Sequence, residues 1–188
     1  MVYILIEKLP QTFDAQRSAE ALMDIFGKEH VERILTKGHP LSRDESLFAL
    51  ELLERAVGGH FPDTRDLTIT RTEGGKPYFA REDAPRFSIS HSEGVCAVAL
   101  SDSDVGIDIQ GERNSLERIS KRYFSSDSDA DALLLWTQKE AYAKLFDVPL
   151  AAVLSSDVSG FASYKFFEYL GKKICVATKS DAEISFIT

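Results

Sequence analysis

Three β-rich segments follow one another between Phe87 and Gln110: F-S-I-S, V-C-A-V-A-L and V-G-I-D-I-Q. They are separated only by H-S-E-G and S-D-S-D, both turn-like in composition. In the third segment, period-two alternation puts Val105, Ile107 and Ile109 on one face of a strand. Gly106, Asp108 and Gln110 take the other face. Two polar side chains and a glycine on one side of an otherwise apolar strand mark a site rather than a core. A chain built around this stretch must supply a sheet, and something for Asp108 to face.

The remaining elements can be placed around it. Residues 2–6 form a short β-rich run, and residues 15–26 have helical character that stops near Gly27. The next helix is better marked. Ser42 with Glu45 three residues later reads as a capping box, apolar residues recur at helical spacing through Val57, and Gly58-Gly59 ends the run. Residues 67–72 alternate as a strand should, and Glu73-Gly74-Gly75-Lys76-Pro77 is a turn. Helical character returns over 116–124 and again over 132–146, with Pro149 beyond the end. Residues 164–170 and 174–178 read as a hairpin through Gly171-Lys172-Lys173, followed by a last strand near 184–187.

In the second of these helices Trp136, Glu140 and Lys144 fall four residues apart and share one face. A bare i,i+4 Glu–Lys pair is worth only about 0.2–0.5 kcal/mol on a solvated helix. The stripe gains meaning from Asp108 upstream. Asp108 from a strand and Glu140 from a helix are hard oxygen ligands of the kind Mg²⁺ takes, alongside water and phosphate. Candidate phosphate contacts accompany them: Lys76 after a glycine pair, Ser90 and His91 at a strand end, and Lys144 one turn past Glu140. Carboxylates with Lys, His and Ser point to metal-assisted attack at phosphorus. Lys139, 100° around the helix from Glu140, is expected to face solvent or another element, and Trp136 and Tyr142 to pack.

Charge narrows the partners. Lys and Arg number 22 against 30 Asp and Glu, a net charge of -8. That balance argues against nucleic acid or anionic membranes as general partners. Cys96 and Cys175 lie inside apolar runs and read as buried, reduced core residues. No apolar stretch approaches the length of a membrane span, so a soluble cytoplasmic protein is expected.

The stretches G-K-P-Y-F from Gly75, F-S-I-S-H-S from Phe87, V-G-I-D-I-Q from Val105 and W-T-Q-K-E-A-Y-A-K from Trp136 occur in one order and spacing. In these the chain resembles the 4′-phosphopantetheinyl transferases, in particular the larger, surfactin-synthetase-activating branch. The resemblance implies transfer of the phosphopantetheine arm of coenzyme A to a serine of an apo acyl- or peptidyl-carrier protein, releasing adenosine 3′,5′-bisphosphate. It implies Mg²⁺ held at Asp108 and Glu140, with Glu140 accepting the serine proton directly or through water. It further implies that Lys76, Ser90, His91 and Lys144 contact phosphates of coenzyme A, with Lys37 and Arg43 as candidates for the N-terminal phosphate contacts. Where Gln110 stands, the branch often has a third acidic ligand. A glutamine can offer a carbonyl oxygen, so weaker metal affinity is expected rather than loss of activity.

The fold expected is α+β, as two similar small halves in one chain, 1–100 and 101–188, divided near Ser101. Each half would be a short antiparallel sheet packed with helices, with the active site in the cleft between them. That duplication is implied by the resemblance, and it would make a monomer sufficient. Arg113, Arg118, Lys121 and Arg122 form a basic cluster in an acidic chain, either a solvated helix face or a dock for an acidic carrier protein. Two rivals stand beside the transferase: a degenerate module that binds coenzyme A or a carrier without reacting, and a hydrolase with a Ser90–His91 dyad. The second is poorer, because adjacent residues at a strand end seldom align nucleophile and base.

Overall fold

A computed structural model describes residues 1–61, 66–111 and 129–187 of the 188. The described chain is mixed α and β, organised as stacked layers. The first sheet contains β1 (Val2–Lys8), β4 (Arg86–Ser92), β5 (Val95–Ser101) and β9 (Ile184–Phe186), in the order β4-β5-β1-β9. The second contains β6 (Val105–Gln110), β7 (Ser163–Tyr169) and β8 (Lys172–Thr178), in the order β6-β8-β7. A small hairpin of β2 (Ile69–Arg71) and β3 (Pro77–Phe79) stands apart.

Strand alternation explains the layering. Along β5, Cys96, Val98 and Leu100 face a core shared with α1 (Ala15–Phe26), α2 (Lys28–Leu35) and α3 (Pro40–His60). Val95, Ala97 and Ala99 face the opposite way, into a second core with Val105, Ile107 and Ile109 of β6 and Ile174 and Val176 of β8. The two sheets therefore pack face to face. On the far side of the second sheet, Ala141 and Leu145 of α4 (Asp129–Phe146) meet Cys175 and Ala177. A single turn, α5 (Leu150–Val153), follows.

Several sequence expectations are met closely. α1 runs over 15–26, with Asp14 accepting the Arg17 N–H as its N-cap. The hairpin of β7 and β8 is present, turning tightly at Leu170 and Gly171, whose φ values are 49° and 73°. Both cysteines are buried and free. Ile184–Phe186 is a strand as expected, but it pairs parallel with β1, so the first sheet is not purely antiparallel and the end of the chain lies with the N-terminal elements rather than with the expected second half.

Others need correction. α2 carries no clear start signal and was not anticipated. α3 begins at Pro40 with His39 as its cap, His39 Nδ1 accepting the Ser42 N–H at 3.4 Å. The S-x-x-E pattern is therefore not a capping box: Glu45 is buried and turned inward. The helix also runs through Gly58-Gly59 to His60. His91 and Ser92 belong to β4, and only Glu93 and Gly94 make the turn, both at positive φ. The helix expected over 116–124, with Arg113, Arg118, Lys121 and Arg122, lies outside the described residues.

Candidate functional site

The site is assembled along one edge of β6. That strand ends its sheet, so its outward N–H and C=O groups need partners other than a neighbouring strand. β4 supplies them through side chains. Ser88, Ser90 and Ser92 accept the N–H groups of Ile107, Ile109 and Gly111 at 3.0, 3.2 and 3.3 Å. Lys76 donates to the Val105 carbonyl at 3.2 Å, and Lys144 to that of Ile107 at 3.0 Å. The alternating serines of S-I-S-H-S are thus rungs joining the two sheets. Between the rungs, Phe87 and Ile89 point back toward the helical core.

The alternation of β6 puts Asp108 on the face toward α4. Asp108 is fully buried, and three donors hold it there. Ser90 Oγ donates to Oδ1 at 2.7 Å, Lys144 Nζ to the same oxygen at 2.7 Å, and Gln110 Nε2 to Oδ2 at 2.8 Å. Gly106 sets the approach of α4: a Cβ there would lie 2.0 Å from the Ala141 carbonyl and 2.7 Å from the Leu145 amide nitrogen. The glycine of V-G-I-D-I-Q is therefore a packing requirement, letting the helix sit on bare backbone.

Two adjoining cavities open along this edge, of about 340 and 360 Å³. Pro77, Ile89, Glu140 and Lys144 line both. The first adds Lys37, Ser90, His91, Asp108 and Gln110, so it gathers most of the residues singled out from sequence. The second is lined by the Gly74–Lys76 turn, Phe87, and the segment from Asp147 to Leu150. Lys76 sits there, its ammonium made harder to protonate by burial against the pull of Asp104 and Asp147. Arg43 lies outside both cavities, paired with Asp44 at 2.9 Å. Lys139 is buried and donates to the carbonyls of Val153 and Ser156, which anchors the segment after α4. Tyr142 packs on Phe146.

Three residues lining the first cavity, His30, Arg71 and Ser46, were not singled out in the sequence, and Glu45 behind His91 was given another role there. His30 from α2 and Arg71 from β2 line it with Lys37. Burial, then the charges of Arg71, Arg33 and Lys37, depress His30 from 6.5 to about 4. Arg71 donates Nη1 to the Gly75 carbonyl at 2.6 Å, while its Nε is buried without a partner among the described residues. Glu45 and Ser46 hold His91 from both sides: Nδ1 lies 2.8 Å from Glu45 Oε2, and Nε2 lies 3.1 Å from Ser46 Oγ. Lys37 donates to the same Ser46 hydroxyl at 2.6 Å. Glu45 also accepts the Gly94 N–H at 2.5 Å. Burial pushes its carboxyl upward, but the bonds from His91 and Gly94 and the charges of His91 and Lys37 outweigh it and hold the group low.

The arrangement brings cations and carboxylates to a single groove. Lys37, Arg71 and His30 crowd one end with little acid to balance them, a setting that an anionic ligand would relieve. Among the described residues no three His, Cys, Asp or Glu side chains gather as a metal group. The oxygen donors are Asp108, Glu140 and the Gln110 amide oxygen, which is buried and unpartnered. Hard oxygens including an unsatisfied carbonyl fit Mg²⁺, which keeps much of its shell for water and phosphate.

The chain matches no protein-family model. It is 35% identical over 101 residues to the 4′-phosphopantetheinyl transferase psf-1 of Bacillus pumilus, covering 47% of this chain and 43% of that one. It is 25% identical over 143 residues to the 4′-phosphopantetheinyl transferase Sfp of Bacillus subtilis, covering 69% and 64%. The match spans about half the length of these relatives. Both carry the name of the enzymes that the four motifs resemble. Among the described residues no helix is long and apolar enough to cross a membrane.

Proposed function

We propose that this chain, as a relative of 4′-phosphopantetheinyl transferases, moves the phosphopantetheine arm of coenzyme A to a carrier-protein serine. The observation that carries the reading is the meeting of Asp108, Glu140 and Lys144 with Lys37, Arg71 and His91 in one groove. Coenzyme A would lie along that groove, between two similar halves divided near Ser101. The helix–sheet–sheet–helix layering supports such a division, although β9 from the end of the chain joins the first sheet.

Chemically, the serine oxygen attacks the phosphorus of the diphosphate that bears the pantetheine arm. A new P–O bond forms there, and the bond to the second phosphate breaks. Adenosine 3′,5′-bisphosphate departs with the negative charge, and the serine proton passes to Glu140 directly or through water. Lys144 would offset charge on the leaving phosphate, and Ser90, Lys76 and His91 would orient phosphate oxygens. Asp108, Glu140 and the Gln110 carbonyl would hold Mg²⁺. When bound, the ion neutralises diphosphate charge. Carrier docking at Arg113, Arg118, Lys121 and Arg122 belongs to the same proposal.

A non-catalytic module that binds coenzyme A or a carrier is the second reading, favoured by Gln110 standing where the branch often has an acid. One experiment separates them: intact-mass measurement of an apo-carrier incubated with the protein, coenzyme A and Mg²⁺. A gain of one phosphopantetheine, abolished by Glu140→Gln, supports the transferase. Coenzyme A binding without any gain in mass refutes it.

A further inference from the structure

One residue of the first cavity has no part in the chemistry above. His30 is 94% buried from solvent by its neighbours, being only 6% exposed, yet it lines the groove and its ring makes no hydrogen bond among the described residues. The ring nitrogens are not sealed off, so water or a ligand in the groove can satisfy them. In the same cavity lining, the Nε of Arg71 is buried without a hydrogen-bond partner among the described residues.

The charges around the ring come from several elements. Arg33 lies one turn further along α2, Lys37 just beyond that helix, and Arg71 on β2. Across the cavity stand His91, Lys144, Asp108 and Glu140, while Glu45 of α3 is turned toward His91 and Gly94. The charged side chains of α1, namely Arg17, Glu20 and Asp24, are exposed. The field at the ring is therefore positive, and in the free protein burial and that field together keep it neutral. A phosphate settling between Lys37 and Arg71 reverses the field, and then a proton on the imidazole adds a donor instead of another repulsion.

We propose that His30 is a specificity-determining residue that takes up a proton from solvent when a doubly charged phosphate enters the His30–Lys37–Arg71 corner. The corner thereby prefers a phosphomonoester dianion to a singly charged group. The ligand identity rests on the coenzyme A reading; the corner's chemistry does not. In coenzyme A only the 3′-phosphate is such a dianion; the diphosphate, esterified at both ends, carries one charge on each phosphorus.

The test is an NMR pH titration of the imidazole signals in the intact protein, whose four histidines are resolvable and whose His30 signal is assigned by its loss in His30→Gln. The free protein should show one ring titrating near pH 4. With coenzyme A its midpoint should rise by at least two pH units while His39 and His60 stay put. Dephospho-coenzyme A is the control: the rise should be lost with it, and a rise kept would overturn the preference for a monoester dianion. His30→Gln, with His30→Asn as a second variant, should weaken coenzyme A binding about tenfold at pH 6.5 and less at pH 8.5. Saturating coenzyme A that leaves the ring's midpoint in place overturns the inference and spares the transferase reading. If coenzyme A does not bind, that reading fails instead, and inorganic phosphate decides the corner: movement of the His30 signal supports it, and none overturns it.

Discussion

Replacing Gly106 by alanine tests whether the backbone contact of α4 on β6 sets the site. The new Cβ would stand 2.0 Å from the Ala141 carbonyl oxygen, where ordinary contacts begin at 3.4 Å, and both obstructing atoms are backbone. No rotamer change relieves this. The helix must retreat by more than 1 Å, the difference between those two distances being about 1.4 Å. Lys144 rides on that helix, 2.7 Å from Asp108 Oδ1 and 3.0 Å from the Ile107 carbonyl, so both bonds stretch past useful length. Overpacking of this kind costs about 1–3 kcal/mol, and weakening a pair with a fully buried Asp108 adds to it, for a total of roughly 2–4 kcal/mol. Under the proposed function, transfer to an apo-carrier should fall about 100-fold, because an ångström of misplacement at reacting groups costs that much. Urea unfolding and the mass assay read the two effects separately. Gly111→Ala is the control: its Cβ would meet only the movable ends of Glu93 and Lys172, so it should cost under about 1 kcal/mol. A Gly106→Ala protein within about 0.5 kcal/mol of the parent and transferring at full rate would refute the reasoning.

The serine rungs, Glu45 and the buried histidine give three further tests. Ser88→Ala leaves the Ile107 N–H without its partner and should cost about 1–3 kcal/mol in urea unfolding; no loss of stability would mean the rung carries nothing. Glu45→Gln disturbs the support of His91 Nδ1 and should raise the apparent KM for coenzyme A several-fold while the KM for the carrier stays constant; equal changes in both would indicate general damage. Because His30 is lowered from 6.5 to about 4, the unfolded chain binds more protons between those values. Its contribution is complete above pH 6.5 and is lost as pH falls toward 4, about 2 kcal/mol once discounted for the open groove. Denaturant midpoints across that range should show a shallower acid loss in His30→Gln.

The parts of the site that were readable in the sequence are those whose signal is local. Alternation along β6 placed Asp108 and Gln110 opposite Ile107 and Ile109, and helical spacing placed Glu140 and Lys144 on one face. The parts that escaped depend on tertiary approach. His30 sits in a short helix with no motif around it, and only the docking of that helix beside β2 brings it near Arg71. Glu45 was misread because S-x-x-E fits a capping box, whereas Pro40 starts the helix earlier and turns Glu45 inward. The serines before His91 carry β propensity no better than a loop would. Their role appears only when a second sheet lies across them.

The outer border of β6 has a consequence beyond catalysis. A strand at the end of a sheet normally invites another chain to zip onto it, and open grooves are where such accidents begin. Here hydroxyls and ammonium groups already occupy peptide groups of Val105, Ile107, Ile109 and Gly111. An incoming foreign strand would find few peptide groups left to grip, so the molecule keeps a long crevice accessible to a flexible guest with less risk of seeding aggregation.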